Sequence, residues 1–261
     1  MKRLLFSLFA CLSFLQLVSA ADNYSGPRDY FEIRVYHFAT KEQETILDDF
    51  LKNAFLPALH RNNRKLVGVF KPIANDTAAD KRAFVLISHK SIKDFTELPG
   101  KLNKDKTFQS AGAAYINAPY TSPAYSRMET ILLYGFEGMG TLVTPKLNGK
   151  KSENVYELRS YESHSEKISQ NKIDMFNKGD EISLFNRLEF NSVFYAQVLS
   201  GSRMPNLMYM TSFNNMEERE AHWKAFFADP HWKTLSADPN YQHNVSKNEI
   251  TFLRSVEYSD L

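Results

Sequence analysis

The sequence predicts an α+β fold made of two successive β-α-β-β-α-β units, and three observations predict it. A six-residue phrase, aromatic-Glu-aliphatic-Arg-x-Tyr, stands at 31–36 as FEIRVY and again at 156–161 as YELRSY. The same order of period-two and helix-period stretches follows each copy. Between them, EGMGTLVTPKLNGKKSEN (137–154) has the glycines, proline and basic run of a linker.

Each element follows from its own pattern. YFEIRVYHF (30–38) alternates and is rich in β-formers, so it is a strand. The stretch after it places Ile46, Leu47, Phe50, Leu51, Ala54, Phe55 and Ala58 on one helical stripe, with Pro57 kinking or interrupting it near the end. KLVGVFKPI (65–73) and RAFVLISH (82–89) are strands split by the polar ANDTAAD. A short helix around SIKDFTELPG is interrupted by Pro99-Gly100, and METILLYGF (128–136) is the closing strand. The second unit begins with NVYELRSYES and continues with one or two helices in SEKISQNKIDMFNKGDEISLFNRL. NSVFYAQVLS and NLMYMTSF are strands joined by GSRMP, NMEEREAHWKAFFADPHWKTL is a helix carrying Pro230, and NEITFLRSVEY is the last strand. The order in both units is that of a ferredoxin-like split βαβ. The region 101–127 has no regular counterpart in the second unit.

Residues 1–20 are read as a cleaved signal peptide: Lys2 and Arg3, an apolar run, then Ser19-Ala20. That run, of about 14 residues, is short of the ~20 that a membrane-spanning helix needs. A lipoprotein signal ending at Cys11 fits less well, because the apolar stretch continues past it. The expected division is signal peptide 1–20, first unit 21–137, linker 138–152 and second unit 153–261, in a secreted or periplasmic protein. Cys11 is the only cysteine, so the mature chain forms no disulfide and offers no thiolate. Removing Lys2 and Arg3 leaves 30 basic residues against 30 acidic, which gives no electrostatic case for nucleic acid.

Alternation sets Phe31, Ile33 and Val35 on one face of the first strand and Glu32, Arg34 and Tyr36 on the other. In the second copy Tyr156, Leu158 and Ser160 oppose Glu157, Arg159 and Tyr161. The apolar face is expected under the helices, and the two polar triplets are expected to converge between two facing sheets.

With YELRSY opening a unit and EREAHWKAFFADPHWKTL on its second helix, residues 154–257 resemble the NIPSNAP family of dimeric α/β-barrel proteins. The first unit resembles it in FEIRVYHF and the next helix, but its second helix lacks both tryptophans, with Phe95 and Phe108 nearest in kind. The resemblance implies an α/β barrel formed by two sheets, here within one chain, and a biochemical role that the family leaves mostly undefined.

The candidate ligand-binding residues are Glu32, Arg34, Tyr36, Glu157, Arg159, Tyr161, Trp223 and Trp232. The plain alternative for the triplets is a same-face ion pair that specifies packing; functionally, Arg beside Tyr holds a carboxylate or enolate. The tryptophans serve either core packing or an apolar pocket. The seven histidines (37, 60, 89, 164, 222, 231, 243) form neither HxH nor HExxH, so no metal site is expected. No cofactor is expected; a single histidine on haem stays open through the wider α/β-barrel group. GxSxG, GxxxxGK[ST] and GxGxxG are absent, so no catalytic residue is named. Asn23, Asn75 and Asn244 stand in glycosylation triplets, which matter only in a glycosylating host.

Two functions remain. One is a binding or interaction module for a small apolar or anionic ligand, monomeric or homodimeric. The other is a cofactor-independent oxygenase or isomerase that uses the barrel pocket.

Overall fold

The structure, a computed structural model, describes residues 26–261; the signal peptide expected at 1–20 lies outside them. The strands are β1 (Tyr30–Phe38), β2 (Gly68–Pro72), β3 (Lys81–His89), β4 (Arg127–Gly135), β5 (Val155–Glu162), β6 (Phe194–Ser200), β7 (Asn206–Phe213) and β8 (Lys247–Ser255). They close one antiparallel barrel in the order β1-β3-β2-β8-β5-β7-β6-β4. Each consecutive set of four has its first strand between its third and fourth, so β2 and β4 are the edges of the first set and β6 and β8 those of the second. Those edges meet the other set: β2 pairs with β8 through Phe70 and Ser255, and β6 pairs with β4 through Ala196 and Gly135. Closure leaves no unpaired edge.

The helices pack outside the barrel. In the first half these are α1 (Lys41–Phe50), α2 (Leu56–Arg61), α3 (Ile92–Lys104), α4 (Lys106–Ala111) and α5 (Ala113–Ile116). In the second half they are α6 (Glu166–Asn177), α7 (Glu181–Arg187), α8 (Met216–Ala228) and α9 (Pro230–Ala237). Starts are set by side-chain caps: Thr40 with Gln43 in a capping box, then Ser91, Ser165, Asn215 and Asp229. Among the described residues no helix is long and apolar enough to cross a membrane.

Prolines act differently at three places. Before Pro57 the helix widens into a π turn (Leu51–Phe55), with the Leu56 N–H reaching Leu51 O, which accommodates a residue that has no N–H of its own. Pro230 sits at the first position of α9, where its missing N–H costs nothing. The expected interruption at Pro99-Gly100 does not occur: α3 runs through both. Leu98 and Leu102, buried on one stripe, hold the helix together across the missing bond.

The face assignment is corrected. Phe31, Ile33, Val35, Tyr156 and Leu158 fill the barrel interior with Leu133, Met208, Met210 and Leu253. The Glu/Arg/Tyr rows therefore point outward, beneath the helices, and the two triplets do not converge. The interior of an eight-stranded barrel is filled largely by its own side chains, and charges there would lack the helix-borne partners available outside, so it takes the apolar row. The helix layer brings partners of its own to the charged row.

Candidate functional site

Two spaces between barrel wall and helices each stand over one triplet. In the second half Glu157 is fully buried. Arg159 Nε donates to it at 2.6 Å, Arg219 Nε and Nη2 at 2.9 and 3.0 Å, and Trp223 Nε1 at 2.9 Å. Burial alone would raise the Glu157 carboxyl, but Arg219, Arg159 and the indole N–H outweigh it and hold the group below the ordinary carboxylate range. Arg159 Nη1 donates to the Tyr161 hydroxyl at 2.9 Å, which is 2.9 Å from the Tyr209 hydroxyl. The Arg159 guanidinium lies 3.8 Å over the Trp223 ring. Its nitrogens are thus committed to protein groups.

Helix α8 explains the arrangement, because Arg219 and Trp223 are four residues apart and share one face. Trp232, on α9, packs 4.5 Å from Phe226 and joins Trp223 in lining a cavity of about 320 Å³. The cavity also meets a buried pair, Lys172 Nζ to Glu181 Oε2 at 2.8 Å, with the ammonium 4.7 Å from the Phe176 ring.

In the first half Glu32 is equally buried, but its partners differ. Arg34 Nε donates at 2.5 Å and His89 Nε2 lies at 2.9 Å from the other oxygen. The second ring nitrogen of His89 faces Arg64 Nη2 at 3.2 Å, and Arg64 is held by Asp94 at 2.8 Å. An arginine cannot accept, so His89 Nδ1 is the acceptor and Nε2 carries the proton toward Glu32. Burial raises and the His89 and Arg34 contacts lower the Glu32 carboxyl, for a net depression. Arg34 passes 4.7 Å over the Phe55 ring, and among the described residues Glu32 is its one carboxylate partner.

Tyr36, Tyr115 and Tyr125 cluster beside that guanidinium, with ring centroids 5.5 to 6.3 Å apart. Burial pushes the Tyr115 hydroxyl well above the ordinary phenol range. The triplet lines a cavity of about 650 Å³ whose other walls include Phe50, Phe55, Phe95 and Phe108. It is twice the volume of its counterpart.

Of the eight residues expected from the sequence, the structure brings Arg159, Tyr161, Trp223 and Trp232 onto one cavity, with Glu157 bonded to two of them. Glu32, Arg34 and Tyr36 line the other. The sequence reading missed Arg219, Lys172, Glu181, Tyr209, His89 and Arg64. Two of these carried a signal: Lys172 falls on the buried stripe of Ser169, Ile173 and Phe176, and Arg219 stands four residues before Trp223.

The geometry defines a class of protein: a single-chain α/β barrel with a pocket between sheet and helices in each half. Residues 156–260 match the family model of NIPSNAP, so the second half carries a NIPSNAP domain. Among solved structures, the fold resembles that of a protein from Lactobacillus acidophilus NCFM provisionally named a monooxygenase. The TM-score is 0.57, with 11% identity over 87% of this chain and 94% of the other. A second protein so named, from Fusobacterium nucleatum subsp. nucleatum, gives 0.55, with 5% identity over 88% and 93%. An anthrone oxidase-like protein gives 0.51, with 9% identity over 90% and 93%. Identities this low show a common fold and nothing more. No curated protein matches the chain.

Proposed function

We propose that this protein binds a small, largely apolar acid in the cavity of the first half, with Arg34 taking the anionic group. The observation that carries this is the contrast between two otherwise matching arginines. Arg159 is spent on Glu157, Tyr161 and Trp223, whereas Arg34 gives Nε to Glu32, shares its other side with the Tyr36 hydroxyl, and together with that hydroxyl borders a 650 Å³ space walled by phenylalanines. Apolar walls with a few convergent polar groups are the usual make-up of small-ligand sites. A carboxylate, enolate or phenolate fits the fork of Arg34 and the hydroxyls of Tyr36, Tyr115 and Tyr125.

The test is displacement of 8-anilinonaphthalene-1-sulfonate by medium-chain fatty acids and by naphthols, in wild type and Arg34→Met. Saturable displacement that Arg34→Met abolishes supports the reading. Displacement unaffected by Arg34→Met, or lost equally in Arg159→Met, sinks it.

A second reading is a cofactor-independent oxygenase at the same place, favoured by a pocket suited to an enolate and by the names of the fold neighbours. Dioxygen uptake with an enolisable polycyclic ketone such as an anthrone, absent in Arg34→Met, would establish it. We further propose that the chain is exported after removal of residues 1–20, that residues 21–137 and 153–261 are tandem units joined by 138–152, and that the closed barrel needs no second copy. N-terminal sequencing and the mass of the native protein check the first and last of these.

A further inference from the structure

A groove of about 770 Å³ lies apart from both helix–sheet cavities, between segment 138–148, the turn after α7 and the first half of α8. Its walls are fixed by the protein itself. The Asn214 carboxamide oxygen accepts the N–H groups of Asn148 and Gly149, both at 2.8 Å, and its amide donates to Glu218 Oε2 at 2.6 Å. Val143 N–H donates to Val193 O at 3.0 Å and ties down the same segment. His222 packs against Phe190 and Phe213, and its partial burial holds the imidazole below its ordinary value and so neutral, able to donate and accept.

One side chain on this groove is held where the backbone resists it. Helix α7 ends with Phe190 N–H on Phe185 O and Glu189 N–H on Asn186 O, both at 3.1 Å. This bond pair puts the residue between them in the left-handed region, where glycine is the usual occupant. Here that residue is Glu189, at φ 55°; Asn191, of a type that tolerates the region, follows at φ 45°. A glutamate kept in a glycine's place, with its side chain on the groove wall, argues for a use of the carboxylate and not for stability.

We infer that this groove binds a neutral polyhydroxylated ligand, a saccharide, through the carboxylates of Glu189 and Glu218 and the carboxamides of Asn148 and Asn186. Ten of its fourteen lining residues are polar. Of the four asparagines, Asn214 and Asn191 brace the walls, Asn191 accepting from Lys146 N–H and donating to Glu189 O at 3.3 Å each, while Asn148 and Asn186 offer planar groups that donate and accept. Two carboxylates against the single ammonium of Lys146 turn anions away. Among the described residues no cluster of three or more potential ligands would hold a metal ion. The lining offers no aromatic anchor of the kind that seats a peptide.

The experiment is saturation-transfer NMR on the purified protein with maltose, cellobiose and N,N′-diacetylchitobiose, followed by calorimetric titration of any sugar that responds. At least one sugar is expected to bind. Glu189→Gly should weaken that binding about tenfold or more, as loss of a bidentate contact does, while raising the melting temperature. Glu189→Ala should weaken it alike with no such rise. No transfer from any of the three sugars overturns the inference. So does binding that Glu189→Gly leaves unchanged, since the sugar would then sit elsewhere.

Discussion

Glu157→Gln is nearly isosteric, yet the structure predicts that it is among the most damaging single changes in the barrel wall. Four donated hydrogen bonds, three from guanidinium groups and one from an indole, converge on the two oxygens of Glu157. Glutamine keeps one oxygen and turns an NH2 group toward the remaining donors. Arg159 and Arg219 then share the wall with no buried counter-charge. Breaking a buried ion pair from one side costs about 3–5 kcal/mol, and for a domain of this size that lowers Tm by about 6–20 °C. Glu32→Gln is the control. Glutamine there strands one arginine and not two, and Arg34 borders a cavity of about 650 Å³ through which water can reach it. Only Arg34 Nε and His89 Nε2 touch Glu32, so the expected cost is smaller, about 1–3 kcal/mol. Because the folded Glu157 carboxyl ionises at lower pH than the unfolded one, its contribution is complete above about pH 4.3 and drains away as pH falls through the folded value. Urea unfolding across pH 3–7 should show a shallower acid loss in Glu157→Gln than in wild type. Equal costs for the two glutamines, or an unchanged acid limb, would refute the claim that the second triplet is the tighter electrostatic anchor.

Other outcomes follow from the same geometry. Gly100→Ala should stabilise by about 0.5–1 kcal/mol, because Gly100 lies inside α3 and an added Cβ meets nothing within 4 Å; thermal melts check it. Trp223→Phe keeps the aromatic packing but removes the N–H on Glu157 and weakens the stack on Arg159, for about 1–3 kcal/mol. It should also cost more than Trp232→Phe. Burial raises the Tyr115, Tyr195 and Tyr209 hydroxyls well above their ordinary values. The stability they contribute is intact below about pH 10 and lost above it. An ultraviolet titration should therefore show these phenols ionising only together with unfolding.

The order of elements was legible because each has its own period: alternation marks Tyr30–Phe38, and the stripe through Leu47, Phe50, Leu51, Ala54 and Phe55 marks the first helix. Which face of the strand looks inward was not legible. Alternation separates Phe31, Ile33 and Val35 from Glu32, Arg34 and Tyr36, but both rows are buried. The choice depends on barrel closure, a long-range property of β2 against β8 and β4 against β6. Pro99 misled because propensity weighs the missing bond and not the packing of Leu98 and Leu102. His89 escaped notice because it meets Glu32 across 57 residues, through a register that no local pattern encodes.

The repeated phrase delivers the same Glu, Arg and Tyr to matching points on the outer wall, so the difference between the halves must come from the helices laid over them. Helix α8 brings Arg219 and Trp223, which saturate Glu157 and stack on Arg159, and the space beside them shrinks to about 320 Å³. The first half has no tryptophan in α3, α4 or α5; Phe95 and Phe108 stand there instead, and Glu32 relies on His89. Phenylalanine carries no N–H to the carboxylate and fills less volume than an indole. Arg34, with the Tyr36 hydroxyl, therefore borders open space, and the cavity beside it stays near 650 Å³. Placing a tryptophan at Phe95 should then reduce that cavity and its ligand binding together, while filling the Trp223 position of the second half with alanine should open space without creating an Arg34-like site, because Arg159 remains bound to Glu157 and Tyr161.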